Sequence, residues 1–284
     1  MTATASTTPT GGAPDVHQAA PPHTGSAATR VLGVLALAAS LLAALYGLVW
    51  SPQDAEMLDS VRLFYVHVPS ASFLYLACTV TTVASGLWLW RRSPGWDALA
   101  GAAGEIALVF SAITLATGSL WGRPTWGTYW TWDARLTSTA LLAVLLVGYL
   151  ALRRLDVDVT QRSTRAAVVG LLLVPNVILV NRSVEWWRSL HQRSTITTLD
   201  PQIEGDMLVA VFTGFLALGL VFAWLLVHRF RVAWLEHQAG RLDLDAALAA
   251  RRAEAGGPAV TGPGGRSPNG GGTVGGGSVE EVRA

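Results

Sequence analysis

Six long apolar stretches separated by short polar ones dominate the chain, at roughly 31–50, 64–90, 99–120, 137–152, 166–181 and 207–228. A bilayer core about 30 Å thick needs about 20 apolar residues of helix. A backbone in lipid must also satisfy its own N–H and C=O groups, which a helix does within itself. Each stretch therefore predicts a spanning helix. The fourth and fifth are short by hydropathy and are expected to borrow neighbouring residues. Strand-like alternation and internal repeats are absent from the pattern. The expected fold is an all-α integral membrane protein with six transmembrane helices.

The flanks read differently. Residues 1–29 are rich in Ala, Thr, Pro and Gly, lack an apolar run, and read as a disordered tail. The first apolar stretch lies too far in, and is too long, for a cleaved signal peptide, so it is expected to be retained. Residues 30–230 then form the membrane domain. Residues 231–284 form a charged C-terminal tail, Gly-rich and flexible from about 255.

Composition sharpens this picture. The chain is 51% hydrophobic and only 14% charged, too little charge to solvate a globular surface of its size. Its net charge of +1 singles out no partner, and no nucleic acid is expected; membrane lipid is. Every basic residue is Arg. The single cysteine, Cys78, lies in an apolar stretch, which excludes an intrachain disulfide and any CxxC motif.

The arginines orient the spans. One side carries Arg30, Arg91, Arg92, Arg153, Arg154, Arg162, Arg165, Arg229 and Arg231. The other carries Arg62, Arg123, Arg135, Arg182, Arg188 and Arg193. The bias predicts both termini in the cytoplasm and outer loops at 51–63, 121–136 and 182–206.

Six of the twelve tryptophans sit in two of those outer loops. The first reads WGRPTWGTYWTWDARLTS, residues 121–138. An interfacial aromatic belt needs one or two such residues per span end. Here Trp121, Trp126, Tyr129, Trp130 and Trp132 crowd together, with Gly122, Pro124 and Gly127 shaping the backbone and Asp133 and Arg135 embedded among them. This suits a flat apolar platform for a planar ligand. Arg123, Arg135 and Arg188 are candidates to pair with ligand carboxylates. The second Trp-rich loop reads NRSVEWWRSLHQRST, residues 181–195. If helical, it places Trp187 and His191 on one face beside Trp186; its plainer reading is an interfacial amphipathic helix.

His67, in RLFYVHVPSASF, stands where the first outer loop enters the second span. A lone histidine there is usually structural, but His191 is expected on the same side with the Trp platform between them. Two neutral imidazoles so placed meet the requirements for bis-histidine ligation of haem iron. His17, His23, His228 and His237 fall in tails or near the inner end of the last span and invite no such reading.

Three segments, YVHVPSA at 65–71, WGRPTWGTYWTWDARLTS at 121–138 and SVEWWRSLHQRST at 183–195, resemble the cytochrome c maturation protein C family (CcmC, haem exporter protein C). This belongs to the haem-handling group marked by a "WWD" domain. The resemblance covers about residues 30–230. Asp133 is followed by Ala134, Arg135, Leu136 and Thr137, the pattern of the short member of the group. Tyr129 stands where Trp is common, and Arg193 where a small residue is common.

The resemblance implies a protein of the bacterial inner membrane that binds b-type haem non-covalently and transiently at its outer, periplasmic face. The WWD loop would hold the haem, with His67 and His191 as axial ligands. It would deliver that haem to the haem chaperone CcmE, alongside the small membrane protein CcmD and the ABC transporter subunits CcmA and CcmB. The alternative is a transporter moving haem through the bundle, which predicts polar groups at mid-membrane. Glu105 and Asn176, near Pro175, are the candidates, though Glu105 could instead pair with an inner arginine. A membrane enzyme is not expected, because no nucleophile, HExxH or phosphate-loop motif is present.

Overall fold

A computed structural model describes residues 25–191 and 205–255. Its seven α-helices are α1 (Ala27–Leu45), α2 (Val61–Arg91), α3 (Pro94–Trp126), α4 (Ala134–Leu152), α5 (Val159–Gly170), α6 (Leu173–Trp186) and α7 (Gly205–Ala255). A π-helical turn, Tyr46–Trp50, extends α1. Among the described residues, six segments are long and apolar enough to cross a membrane: Ala27–Trp50, Val61–Arg91, Pro94–Trp126, Ala134–Leu152, Val159–Trp186 and Gly205–Glu254. The protein is all-α with six spans, as its hydropathy predicts.

The chain divides into two compact units, residues 1–239 and 240–284. The first holds the bundle. Leu74, Cys78, Phe110, Leu142, Leu146 and Leu173 are buried at its centre, and Phe73 stacks on Phe222, ring centroids 5.7 Å apart. In the second unit, residues 240–254 are helical and exposed where a tail was expected, and the Gly-rich segment lies outside the described residues.

Span five is broken. Pro175 has no N–H to offer the Leu171 carbonyl, so the α-helical ladder cannot continue through that turn. The chain instead closes with Leu172 N–H donating to Val169 O at 3.0 Å before α6 begins. Thus the fifth span uses Val159–Trp186, far more chain than its short apolar core.

Polar contacts sort the ends of the bundle. At one end Arg153 makes a bidentate pair with Asp97, at 2.7 and 3.0 Å. Glu105 pairs with Arg229 in the same way, at 2.5 and 2.7 Å, the arginine partnership anticipated for it. At the opposite end Ser51 meets Tyr65 at 2.5 Å, and Arg135 donates to Asn181 O at 3.3 Å. The candidate residues gather at this second end.

Candidate functional site

The Trp-rich segment expected as a loop is half helix. α3 runs on through Trp121, Arg123 and Pro124 to Trp126, and Gly127 ends it with φ +76° and an N–H donated to Arg123 O. That left-handed C-terminal glycine is the common helix stop, since no Cβ is present to clash. Residues 127–133 then cross to α4, whose first turn Asp133 caps by accepting from Leu136 N at 2.8 Å.

Extending α3 puts its last turns beside His67 of α2. His67 Nδ1 lies 3.1 Å from Thr117 Oγ1. The Thr117 hydroxyl donates its one hydrogen to Ile113 O at 2.7 Å, so its oxygen accepts from Nδ1–H and His67 keeps a lone pair on Nε2. Gly118 makes room for the ring: a Cβ there would stand 2.8 Å from His67 Cε1.

His191 is built from the opposite direction. α6 ends at Trp186 and Trp187 is extended, so the expected helical pairing of Trp187 with His191 does not form. The chain instead turns His191 against Trp126, ring centroids 4.5 Å apart. Its Nδ1 lies 3.0 Å from Asp133 Oδ2, and Ser189 braces both, donating to Oδ2 at 2.5 Å and accepting from His191 N–H at 3.1 Å. Burial raises the Asp133 carboxyl, but hydrogen bonds from Ser189, the Leu136 amide and His191 outweigh it and hold the group below its ordinary value. Burial holds His191 below its ordinary value too, against the opposing pull of Asp133. The pair is therefore a carboxylate accepting from a neutral imidazole at pH 7, with Nε2 again left as a lone pair.

Both histidines line one cavity of about 300 Å³ enclosed by α2, α3, α4 and α6, at the lower end of ligand-pocket sizes. Trp121, 5.8 Å from the His67 ring, and Trp126 supply aromatic wall. Arg135 also lines it. Trp121 Nε1 and Arg135 Nε are buried donors with no partner, and such groups are costly unless something accepts from them. The cavity thus offers two imidazole lone pairs and flat apolar walls, with Trp121 and Arg135, whose indole N–H and Nε–H are buried and unpaired, among its lining residues.

The other candidates stand elsewhere. Trp132 is 79% exposed and meets Trp130 edge-on at 5.5 Å. Trp186 and Trp187, both exposed, meet each other at 5.8 Å. Arg123 donates to Gly127 O and lies 5.7 Å over Tyr129. Trp132, Trp187 and Arg188 flank a separate shallow depression along α4. Residues 192–195 of the second Trp-rich stretch lie outside the described residues. The sequence reading missed Thr117, Gly118 and Ser189; of these only Ser189, a short polar residue two before His191, carried a readable sign.

Six spans, four of whose helices enclose a cavity that two imidazoles line at one end, define a polytopic membrane protein. Among the described residues, no group of three or more His, Cys, Asp or Glu is placed to hold a bare metal ion. A family profile described as heme exporter protein C matches residues 16–244, and the chain belongs to that family. It is similar to heme exporter protein C of Bradyrhizobium diazoefficiens, 37% identical over 69% of this chain and 76% of that one. Heme exporter protein C of Escherichia coli is 36% identical, covering 61% of this chain and 71% of the relative. A putative cytochrome c biosynthesis ccmC-like mitochondrial protein of Marchantia polymorpha is 35% identical, covering 60% and 72%.

Proposed function

We propose that the cavity holds haem, its iron ligated by Nε2 of His67 and His191, and that the protein presents this haem for cytochrome c maturation. The observation that carries the reading is the matched state of two imidazoles in one cavity, each with Nδ1 committed as a donor and Nε2 open. A second hydrogen bond of this kind is what orients metal-ligating histidines. Two imidazoles make a poor site for a bare ion but complete the axial positions of an iron porphyrin. Trp121 and Trp126 pack its faces or edge, and Arg135, which lines the cavity, takes a propionate through its guanidinium. Attachment to this chain is non-covalent: its one cysteine, Cys78, is buried in the bundle core and not in the cavity.

In this reading the protein positions haem and does no bond chemistry on it. The relatives' names, heme exporter and cytochrome c biosynthesis protein, support a place in an exporter-type assembly with the ATP-binding cassette subunits CcmA and CcmB. CcmD completes that assembly, and the chaperone CcmE receives the haem. The arginine bias supports an orientation with the cavity on the outer side, which in an inner membrane is the periplasmic face. Presentation is favoured over passage through the bundle because the centre is packed with Leu74, Phe110, Leu142 and Leu146, and Glu105 is engaged by Arg229.

The test is spectroscopic. Protein purified from haem-replete cells is expected to show a Soret band with a low-spin bis-histidine signature. The double variant His67→Ala, His191→Ala is expected to lose it; an unchanged band would rule this pair out as the ligands.

A further inference from the structure

The two imidazoles are not held alike. His191 donates to a carboxylate, Asp133 Oδ2 at 3.0 Å, and the pair is shielded, with side-chain exposures of 17% for His191 and 8% for Asp133. His67 donates to a neutral hydroxyl, Thr117 Oγ1 at 3.1 Å, whose own hydrogen is committed elsewhere. Hydrogen bonds to an ionised acceptor are roughly twice as strong as neutral ones. A carboxylate behind an imidazole also makes the opposite nitrogen a stronger donor to a metal. Asp133 has its oxygens engaged within the protein: Oδ2 takes His191 and Ser189, and Oδ1 takes the Leu136 amide.

We propose that Asp133 is a positioning residue that acts through His191, making it the axial ligand that stays, while His67 is the ligand that lets go first. This rests on the haem reading above and assigns the order in which that site opens. Release is a ligand exchange. The iron–Nε2 bond to His67 breaks with its electron pair returning to the imidazole, the iron keeps its oxidation state, and the vacated position accepts a donor from the receiving protein. The bond on the Asp133 side holds the haem meanwhile.

The experiment uses full-length, haem-loaded protein in detergent, comparing His67→Gly with His191→Gly, each alone and with Asp133→Asn. Asparagine keeps one acceptor oxygen for the helix cap and turns an NH2 donor to the His191 side, so Nδ1–H loses its carboxylate acceptor; the thermal midpoint of each variant reports any purely structural loss separately from the spectroscopic change. Two further readouts are taken: the iron–histidine stretching frequency of the five-coordinate ferrous form, and the rate of haem loss to an excess of a haem-scavenging apoprotein. His67→Gly is expected to retain haem, with a stretch that falls when Asp133→Asn is added. His191→Gly is expected to lose haem roughly 10- to 100-fold faster, the usual scale of such outer-shell support. Equal loss from the two glycine variants, or a stretch in His67→Gly that ignores Asp133→Asn, would overturn the proposal while leaving haem binding intact. Absence of any Soret band in the unsubstituted protein would overturn the haem reading itself, and this proposal with it.

Discussion

The ring of Trp126 meets the ring of His191 edge to face, centroids 4.5 Å and planes 66° apart. This contact joins the last turn of α3 to the chain that follows α6, and it closes one wall of the cavity over His191. Trp126 therefore positions His191 as well as lining the cavity.

Gly118 sets the place of the other histidine. A methyl group there would lie 2.8 Å from His67 Cε1, so Gly118→Ala is expected to push the ring off its Thr117 contact. The variant should insert and fold, yet show a weakened or high-spin haem spectrum. A spectrum identical to that of the unsubstituted protein would mean the ring position is not critical.

Arg135 and Arg123 should differ sharply. Arg135 lines the cavity with one guanidinium nitrogen on Asn181 O, whereas Arg123 stands outside the cavity, tied to Gly127 O and Tyr129. Losing a charged hydrogen bond costs about 1.5–3 kcal/mol, roughly ten- to a hundredfold in affinity. Arg135→Ala is expected to weaken haem binding on that scale and to abolish any preference for haem over its propionate diester. Titrations followed at the Soret band should show little change for Arg123→Ala.

Acid should open the site from the His191 side. His191 and Asp133 both sit below their ordinary values, 6.5 for the imidazole and 3.8 for the carboxyl. Where a folded value is depressed, the unfolded chain takes up the proton first. Stability is then complete above the ordinary value and is lost as pH falls from there to the folded one. Thermal unfolding of the haem-free protein is expected to hold steady down to about the ordinary histidine value and to decline below it. His191→Gln should flatten the first part of that decline.

The far end of the bundle should govern stability without touching the site. Asp97 and Arg153, with side chains 19% and 20% exposed, form a bidentate pair. Removing one member of a part-buried pair leaves the other partly uncompensated and costs up to about 3 kcal/mol. Asp97→Ala is expected to lower the unfolding midpoint while the Soret spectrum of surviving folded protein is unchanged. Asp97→Leu with Arg153→Met should recover much of the loss.

Much of this molecule is legible in one dimension, and the illegible part has a physical cause. Six apolar stretches are enough to identify six spans, because lipid leaves the backbone no other solution. His67, His191, Trp121, Trp126, Asp133 and Arg135 carry chemistry visible as residue type. Hydropathy marks where a helix leaves the apolar core and not where it stops winding, so it ends the third span before Trp121, whereas Gly127, a strong stop signal, marks the actual end of α3. Thr117 and Gly118 are ordinary span residues until α2 is known to lie against α3. The splitting of the aromatics likewise depends on the turn at Gly127, before which Trp121 and Trp126 line the cavity and after which Tyr129 and Trp132 are exposed.

The hydrogen bonds that set the two imidazoles close over 50 and 58 residues of chain. Chains fold from the N-terminus as they are made, so His67 meets its partner once the third helix has been inserted. His191 has none until the fifth has followed. A nascent or truncated chain that stops short of that point carries a single prepared imidazole. On the proposed haem reading it lacks the second imidazole, so competence arrives only with nearly complete synthesis of the bundle.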